Sequence, residues 1–251
     1  MTKRIAIAGK GGTGKTTLAA LLIRYLIEEK KGKSILAVDA DANANLNEAL
    51  GLEVTETIGT MLEETKDPKA VPTGMTKDVF IEYRLSRAMV EEDAFDLVVM
   101  GNPQGPGCYC YPNDLLKNYL EKLSKNYDYV VIDNEAGLEH LSRRLLPNVD
   151  LLLVTSDSTA RGVRSAGRVR EIVNNVKIAV SKMGLIIGRS REGELGQLEP
   201  EITKSGLDLF GEVPNDPMVA EYDLQGKALL KLPDDSKAVK ATKEIFNSLA
   251  L

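Results

Sequence analysis

The stretch Gly9-Lys10-Gly11-Gly12-Thr13-Gly14-Lys15-Thr16 decides how the chain is read. It fits the phosphate-loop pattern G-x-x-x-x-G-K-[ST] and adds a second lysine directly after its first glycine. Four glycines let the backbone take positive φ and come close to an anion. Successive N–H groups of such a loop converge on phosphate oxygens, and the following helix presents the positive end of its dipole there. Gly11, Gly12, Thr13 and Gly14 would line this cradle, with Thr16 and Thr17 opening the helix. Lys15 is placed to reach the β- and γ-phosphates of a nucleoside triphosphate, and the Thr16 hydroxyl to ligate Mg2+.

The flanks support the motif. Arg4–Ala8 is a short apolar run that reads as a buried strand, and Leu18, Leu21, Leu22, Tyr25 and Leu26 recur at helical spacing after the loop. Strand, glycine loop and helix in succession are the context a phosphate loop requires.

Further along, apolar runs alternate with helical patterns. Strands are expected near 4–8, 34–39, 95–100, 128–133, 150–155, 183–187 and 209–213, and helices over 15–30, 113–125, 139–146, 161–175 and 236–249. Strands that are continuously apolar suit a mainly parallel sheet covered on both faces. The expected fold is therefore α/β and doubly wound, with ligands at the carboxyl ends of the strands. Residues 53–94 are charged and less regular, an excursion beside the sheet. The length of 251 residues, 43% of them hydrophobic, suits a single domain over 1–251. No apolar run is long enough for a transmembrane helix, and the first residues lead straight into a strand without a signal-peptide pattern. With two cysteines, these features point to a reducing cytoplasm. A net charge of −5 argues against wholesale nucleic-acid binding.

Carboxylates stand where strands end. Ser34–Val38 runs into Asp39 and, beyond Ala40, Asp41, which share one side of extended backbone. Either Asp39 acts on Mg2+ through water, or these residues form an Asx-rich turn with Asn43, Asn45 and Asn47. Tyr129–Ile132 runs into Asp133 in the form of a Walker B strand, whose acid holds Mg2+ through water. Glu139 and the lone histidine, His140, lie just beyond and read as structural hydrogen-bonding groups or as metal or proton-transfer groups.

Both cysteines fall in Gly105-Pro106-Gly107-Cys108-Tyr109-Cys110. Thiolates suit soft metals such as Zn2+, Cu(I), Ni2+ or iron–sulfur clusters. One C-x-C supplies half of a tetrahedral site, and two chains related by a twofold axis would supply the whole. The plainer alternative is a pair of small apolar residues.

Lys10 resembles the signature lysine of the deviant Walker A family, which includes nitrogenase iron protein and the Min and Par ATPases. More specifically, the chain resembles the CooC-type ATPases, nickel-insertion accessory proteins of carbon monoxide dehydrogenase, and the related AcsF proteins associated with acetyl-CoA synthase. The matching pieces are GKGGTGKTT at 9–17, VDAD at 38–41, CYC at 108–110 and DNEAGLEHLSRR at 133–144, and the order of strands and helices agrees over nearly the whole chain. The resemblance implies a P-loop NTPase of the SIMIBI type that binds ATP or ADP with Mg2+ and works as a homodimer. Lys10 would cross to the partner's nucleotide, Asp41 would orient the attacking water, and Gly137 would turn its N–H toward the γ-phosphate. Cys108 and Cys110 of two chains would share Ni2+ or Zn2+, and the client would be one of the two nickel enzymes. Stable nucleic-acid or membrane partners are not implied.

The chain departs from this family in places. Glu135 stands where many relatives have proline. Gly188 stands where the family has an adenine-reading asparagine, so that Arg189 would stack on the base instead. Val213-Pro214-Asn215-Asp216-Pro217 resembles the family's adenine-side loop or is a plain Pro/Asn turn. Arg161, Arg164 and Arg168 share a helix face that is solvated or docks DNA or an acidic client. The last helix packs in the core or, as in Min ATPases, binds membrane. The rival functions are a positioning or partition ATPase, an iron–sulfur reductase and a metal reservoir that does not hydrolyse nucleotide.

Overall fold

The computed structural model describes residues 2–64, 70–101, 110–135, 148–176, 178–191 and 193–251. Cys108, Gly137, Glu139, His140 and the helix expected over 139–146 lie outside the described residues, as does the side chain of Cys110.

One eight-stranded sheet organises the chain. Its strands are β1 (Lys3–Gly9), β2 (Ile35–Ala40), β3 (Met89–Glu91), β4 (Asp96–Val99), β5 (Tyr129–Asn134), β6 (Asn148–Asp157), β7 (Ala179–Ser190) and β8 (Asp208–Pro214). Their spatial order is β3-β4-β2-β5-β1-β6-β7-β8. All pairings are parallel except β3 with β4. The apolar runs of β1, β2, β5 and β6 account for this, because a parallel strand in mid-sheet is buried on both faces. Side chains alternate between two cores. Ala6, Val38, Val130 and Leu152 face one, and Ile5, Ala37, Val131 and Leu153 the other.

The described helices are α1 (Lys15–Glu29), α2 (Leu46–Leu50), α3 (Ile58–Glu64), α4 (Lys77–Arg87), α5 (Cys110–Leu123), α6 (Ala160–Asn175), α7 (Leu195–Ser205), α8 (Pro217–Leu224) and α9 (Lys237–Ser248). The excursion at 53–94 resolves into α3, α4 and the short edge strand β3. In addition, α7 forms despite Pro200 in its interior. Its Leu198 and Ile202 are buried at helical spacing, and that packing outweighs the lost N–H donor.

The last helix packs in the core. Val239, Ile245 and Phe246 of α9 are buried, and the Phe246 ring lies 5.3 Å from that of Tyr25 on α1. Arg24 of α1, 7% exposed, donates to the Leu232 carbonyl and to Asp234, pinning the segment that leads into α9. Helix α1 is thus held on the sheet by α9, α2 and the 229–231 turn, which fixes the loop at its N-terminus.

Candidate functional site

Strand β1 delivers the chain to the middle of the sheet, between β5 and β6, where its carboxyl end opens a crevice. Gly9 must be glycine there, since a Cβ would stand 2.4 Å from Thr155 Oγ1 and 2.5 Å from the Thr155 carbonyl. Gly14, at φ 87°, takes a left-handed conformation and caps α1. Thr13 is buried, and its hydroxyl lies 2.7 Å from the Lys10 carbonyl and 2.8 Å from Thr155 Oγ1. Lys15 Nζ reaches the same carbonyl at 3.4 Å, while the Lys10 side chain is exposed.

The strand-end carboxylates gather beside Lys15. Asp39 and Asp133 are register partners on β2 and β5, and Asp133 is level with Ile7 on β1. Burial pushes the Asp133 carboxyl up to about 7; a hydrogen bond from Thr16 opposes this, the neighbouring Asp39 adds to it, and Lys15 opposes it in turn. Asp133 Oδ1 is buried without a hydrogen-bond partner. Burial likewise raises Asp39 to about 6, against the N–H groups of Leu46 and Asp41. Those two amides donate to its two oxygens at 2.8 and 3.0 Å, so Asp39 ties down the loop that follows β2. Asp41 accepts from the Asn43 amide N–H at 2.9 Å and from its side chain at 3.0 Å, an Asx turn. Lys15 is lowered by burial, with Asp133, Asp41 and Glu135 opposing. A buried cation therefore faces several acids whose charge is itself unfavourable to bury.

A pocket of about 470 Å³ runs from Thr13 and Gly14 toward α8 and α9, a volume suited to part of a small-molecule ligand. Arg189, Pro214, Asn215 and Asp216 all line it, as do Thr17, Leu18 and Leu21 of α1. A Cβ on Gly188 would stand 3.0 Å from the Thr13 carbonyl. Glycine there lets β7 close on the phosphate-type loop. Arg189 follows in a left-handed conformation, φ 55°, at a bulge between Gly188 and Ser190. Such a backbone in a non-glycine residue stores strain at the rim of the pocket. The Asp216 carboxylate accepts from Met218 N–H at 2.9 Å, Ser236 Oγ at 2.6 Å and Ala238 N–H at 3.1 Å. It clamps the starts of α8 and α9 together and so shapes the pocket wall.

The structure brings Lys15, Thr16, Asp39, Asp41 and Asp133 to one place and Arg189 with residues 214–216 to another, joined through Thr13 and Gly14. Arg161, Arg164 and Arg168 are exposed on α6 away from the pocket lining, and Arg164 lies 3.8 Å from Glu201 of α7. Thr155 is the residue that sequence reasoning passed over. In the sequence it is only a polar residue at the end of the apolar run Leu151–Val154; its burial, 3% exposed, comes from the fold.

Fold and loop together define a P-loop ATPase of the MinD/ParA-like type. Residues 2–185 match the AAA domain family AAA_31, and the chain belongs to that family. It is 40% identical to an uncharacterized ATP-binding protein of Methanocaldococcus jannaschii, over 98% of this chain and 97% of that one. It is 27% identical to the carbon monoxide dehydrogenase accessory protein CooC of Rhodospirillum rubrum, over 89% of this chain and 88% of that one. Among solved structures it is similar to the septum site-determining protein MinD of Pyrococcus horikoshii complexed with Mg-ADP, with a TM-score of 0.72 and 23% identity over 99% and 96% of the two chains.

Proposed function

We propose that this chain is a Mg-dependent, homodimeric ATPase that assists nickel insertion into carbon monoxide dehydrogenase or acetyl-CoA synthase. The loop amides of residues 11–17 and Lys15 bind the triphosphate. The pocket beside Arg189, Pro214, Asn215 and Asp216 takes the base.

Mg2+ fits the residues at hand. The partnerless, buried Asp133 Oδ1 and the Thr16 hydroxyl bonded to the same carboxyl form a hard-oxygen donor set next to the phosphate loop. Thr16 and Asp133, with Asp39 behind them, would hold the ion partly through water; when bound, it neutralises the β- and γ-phosphate oxygens. Asp41, held by Asn43 at the mouth of the crevice, orients the attacking water. Lys10 is exposed and free to extend to the nucleotide of a second copy, which makes ATP the link between subunits.

The observation that carries the nickel reading is the cysteine pair in the sequence, Cys108 in the stretch after β4 and Cys110 at the first residue of α5. The strand that precedes the pair, β4, runs parallel to β2, so its carboxyl end lies at the same end of the sheet as the acids. Drawing two such segments together across the dimer axis would assemble four thiolates. Nickel is the cargo here, and Zn2+ is its natural competitor. The similarity to CooC, over most of both chains, supports this client class. A Min-type membrane function fits less well, because the apolar face of α9 is buried.

The test is nickel binding to reduced, ATP-bound protein beside a Cys108→Ala/Cys110→Ala variant, read by equilibrium dialysis. About one tight ion per two chains, lost in the variant, is expected. Binding that ignores the cysteines would remove the shared thiolate site.

A further inference from the structure

Thr155 belongs to β6, yet its hydroxyl reaches into the phosphate loop. Thr13 donates its single proton to the Lys10 carbonyl at 2.7 Å, so Thr155 is the donor in the 2.8 Å contact with Thr13. Its other contact, the Ala8 carbonyl, is longer at 3.3 Å. Both threonines are buried, and Gly9 lacks the Cβ that would collide with Thr155. Three elements are therefore fitted around one hydrogen-bond chain from Thr155 through Thr13 to the Lys10 carbonyl.

We propose that Thr155 is a positioning residue for nucleotide: acting through Thr13, it fixes the Lys10–Gly11 peptide before nucleotide arrives. This rests on the ATPase reading of the same loop. A trans peptide is planar, with its C=O and N–H antiparallel. Holding the Lys10 carbonyl toward Thr13 thus turns the Gly11 N–H the other way, into the anion cradle. The Lys15 ammonium shares that carbonyl at 3.4 Å. When Lys15 turns to the phosphates it gives up this contact, and the Thr13 hydroxyl alone keeps the peptide from flipping. Preset amides bind an anion without first paying to order the loop.

The experiment is calorimetric titration with Mg-ADP of the unmodified chain, Thr155→Ala, Thr13→Ala, the double variant and Thr155→Ser. Each alanine variant is expected to bind about five- to tenfold more weakly, the worth of one hydrogen bond. The double variant should be no weaker than either single one, because both cut the same chain. Thr155→Ser, which keeps the hydroxyl, should bind like the unmodified protein. A Thr155 that merely supported the fold would lower the melting temperature without this pattern in affinity. Unchanged affinity in Thr155→Ala, or losses that multiply in the double variant, would overturn the relay alone. An unmodified chain that bound no Mg-ADP would overturn the ATPase reading and the relay together.

Discussion

Asp133 is the residue whose surroundings most constrain the chemistry. Its folded value of about 7 lies above the usual 3.8, chiefly because of burial. At Asp133 the folded chain therefore holds more proton than the unfolded one between about pH 4 and 7, and ionising it costs stability as pH rises through that window. A cation needs the ionised form, so it competes with the proton. Mg-ADP affinity should accordingly rise about fivefold from pH 6 to 7 and about tenfold from pH 6 to 8, levelling off above that, with up to one proton released at the acid end. Calorimetry in buffers of different ionisation enthalpy would measure this; an affinity indifferent to pH, with no proton released, would dissociate Asp133 from the ion. The local part of this site was legible in the sequence, because a glycine loop, its lysine and acids at strand ends carry their chemistry in adjacent residues. Thr155 was not, since its partner Thr13 lies 142 residues away. At Asp39 the sequence left Mg2+ binding through water and an Asx-rich turn both open; the Asp41 N–H on its Oδ1 is an Asx-turn contact, and the Leu46 N–H on its Oδ2 ties it to the start of α2.

At the scale of elements, the expected strands all fall on observed ones, because mid-sheet strands must be apolar on both faces. What escaped were pieces whose local pattern is weak: β3 has three residues and α2 five, while α7 hides behind Pro200. Asp216 shows how such pieces are secured. Burial alone would raise its carboxyl, but hydrogen bonds from Ser236, Ala238, Met218 and Lys237 outweigh it and hold the group below the usual carboxylate range. Asp216→Ala removes one acceptor from two helix starts and should cost about 2–3 kcal/mol in urea unfolding. The contribution is present above the unfolded value of 3.8 and fades as pH falls through the lower folded value. Equal stability of variant and parent at pH 7 would show that α8 and α9 are held by packing alone. The apolar side of that packing has its own test. Phe246→Ala, a fully buried ring against Tyr25, should cost about 3–5 kcal/mol; a loss below about 1 kcal/mol would mean that α9 is not docked on α1 in solution.

At the scale of the whole molecule, the proposed function couples nucleotide state and metal affinity through a dimer. Lys10 follows β1 and the cysteine pair follows β4 in sequence, and both strands end at the carboxyl end of the sheet, so on this proposal a second copy meeting that end engages both. Coupling of this kind is reciprocal: whatever ATP does to nickel affinity, nickel must do to ATP affinity. The most direct test is nickel affinity in the ATP and ADP states, measured in parallel on the unmodified chain and on Lys10→Ala. At least a tenfold tighter site with ATP is expected, about 1.4 kcal/mol of coupling, collapsing to no difference in Lys10→Ala. Equal nickel affinity in both nucleotide states of the unmodified chain would contradict the coupling.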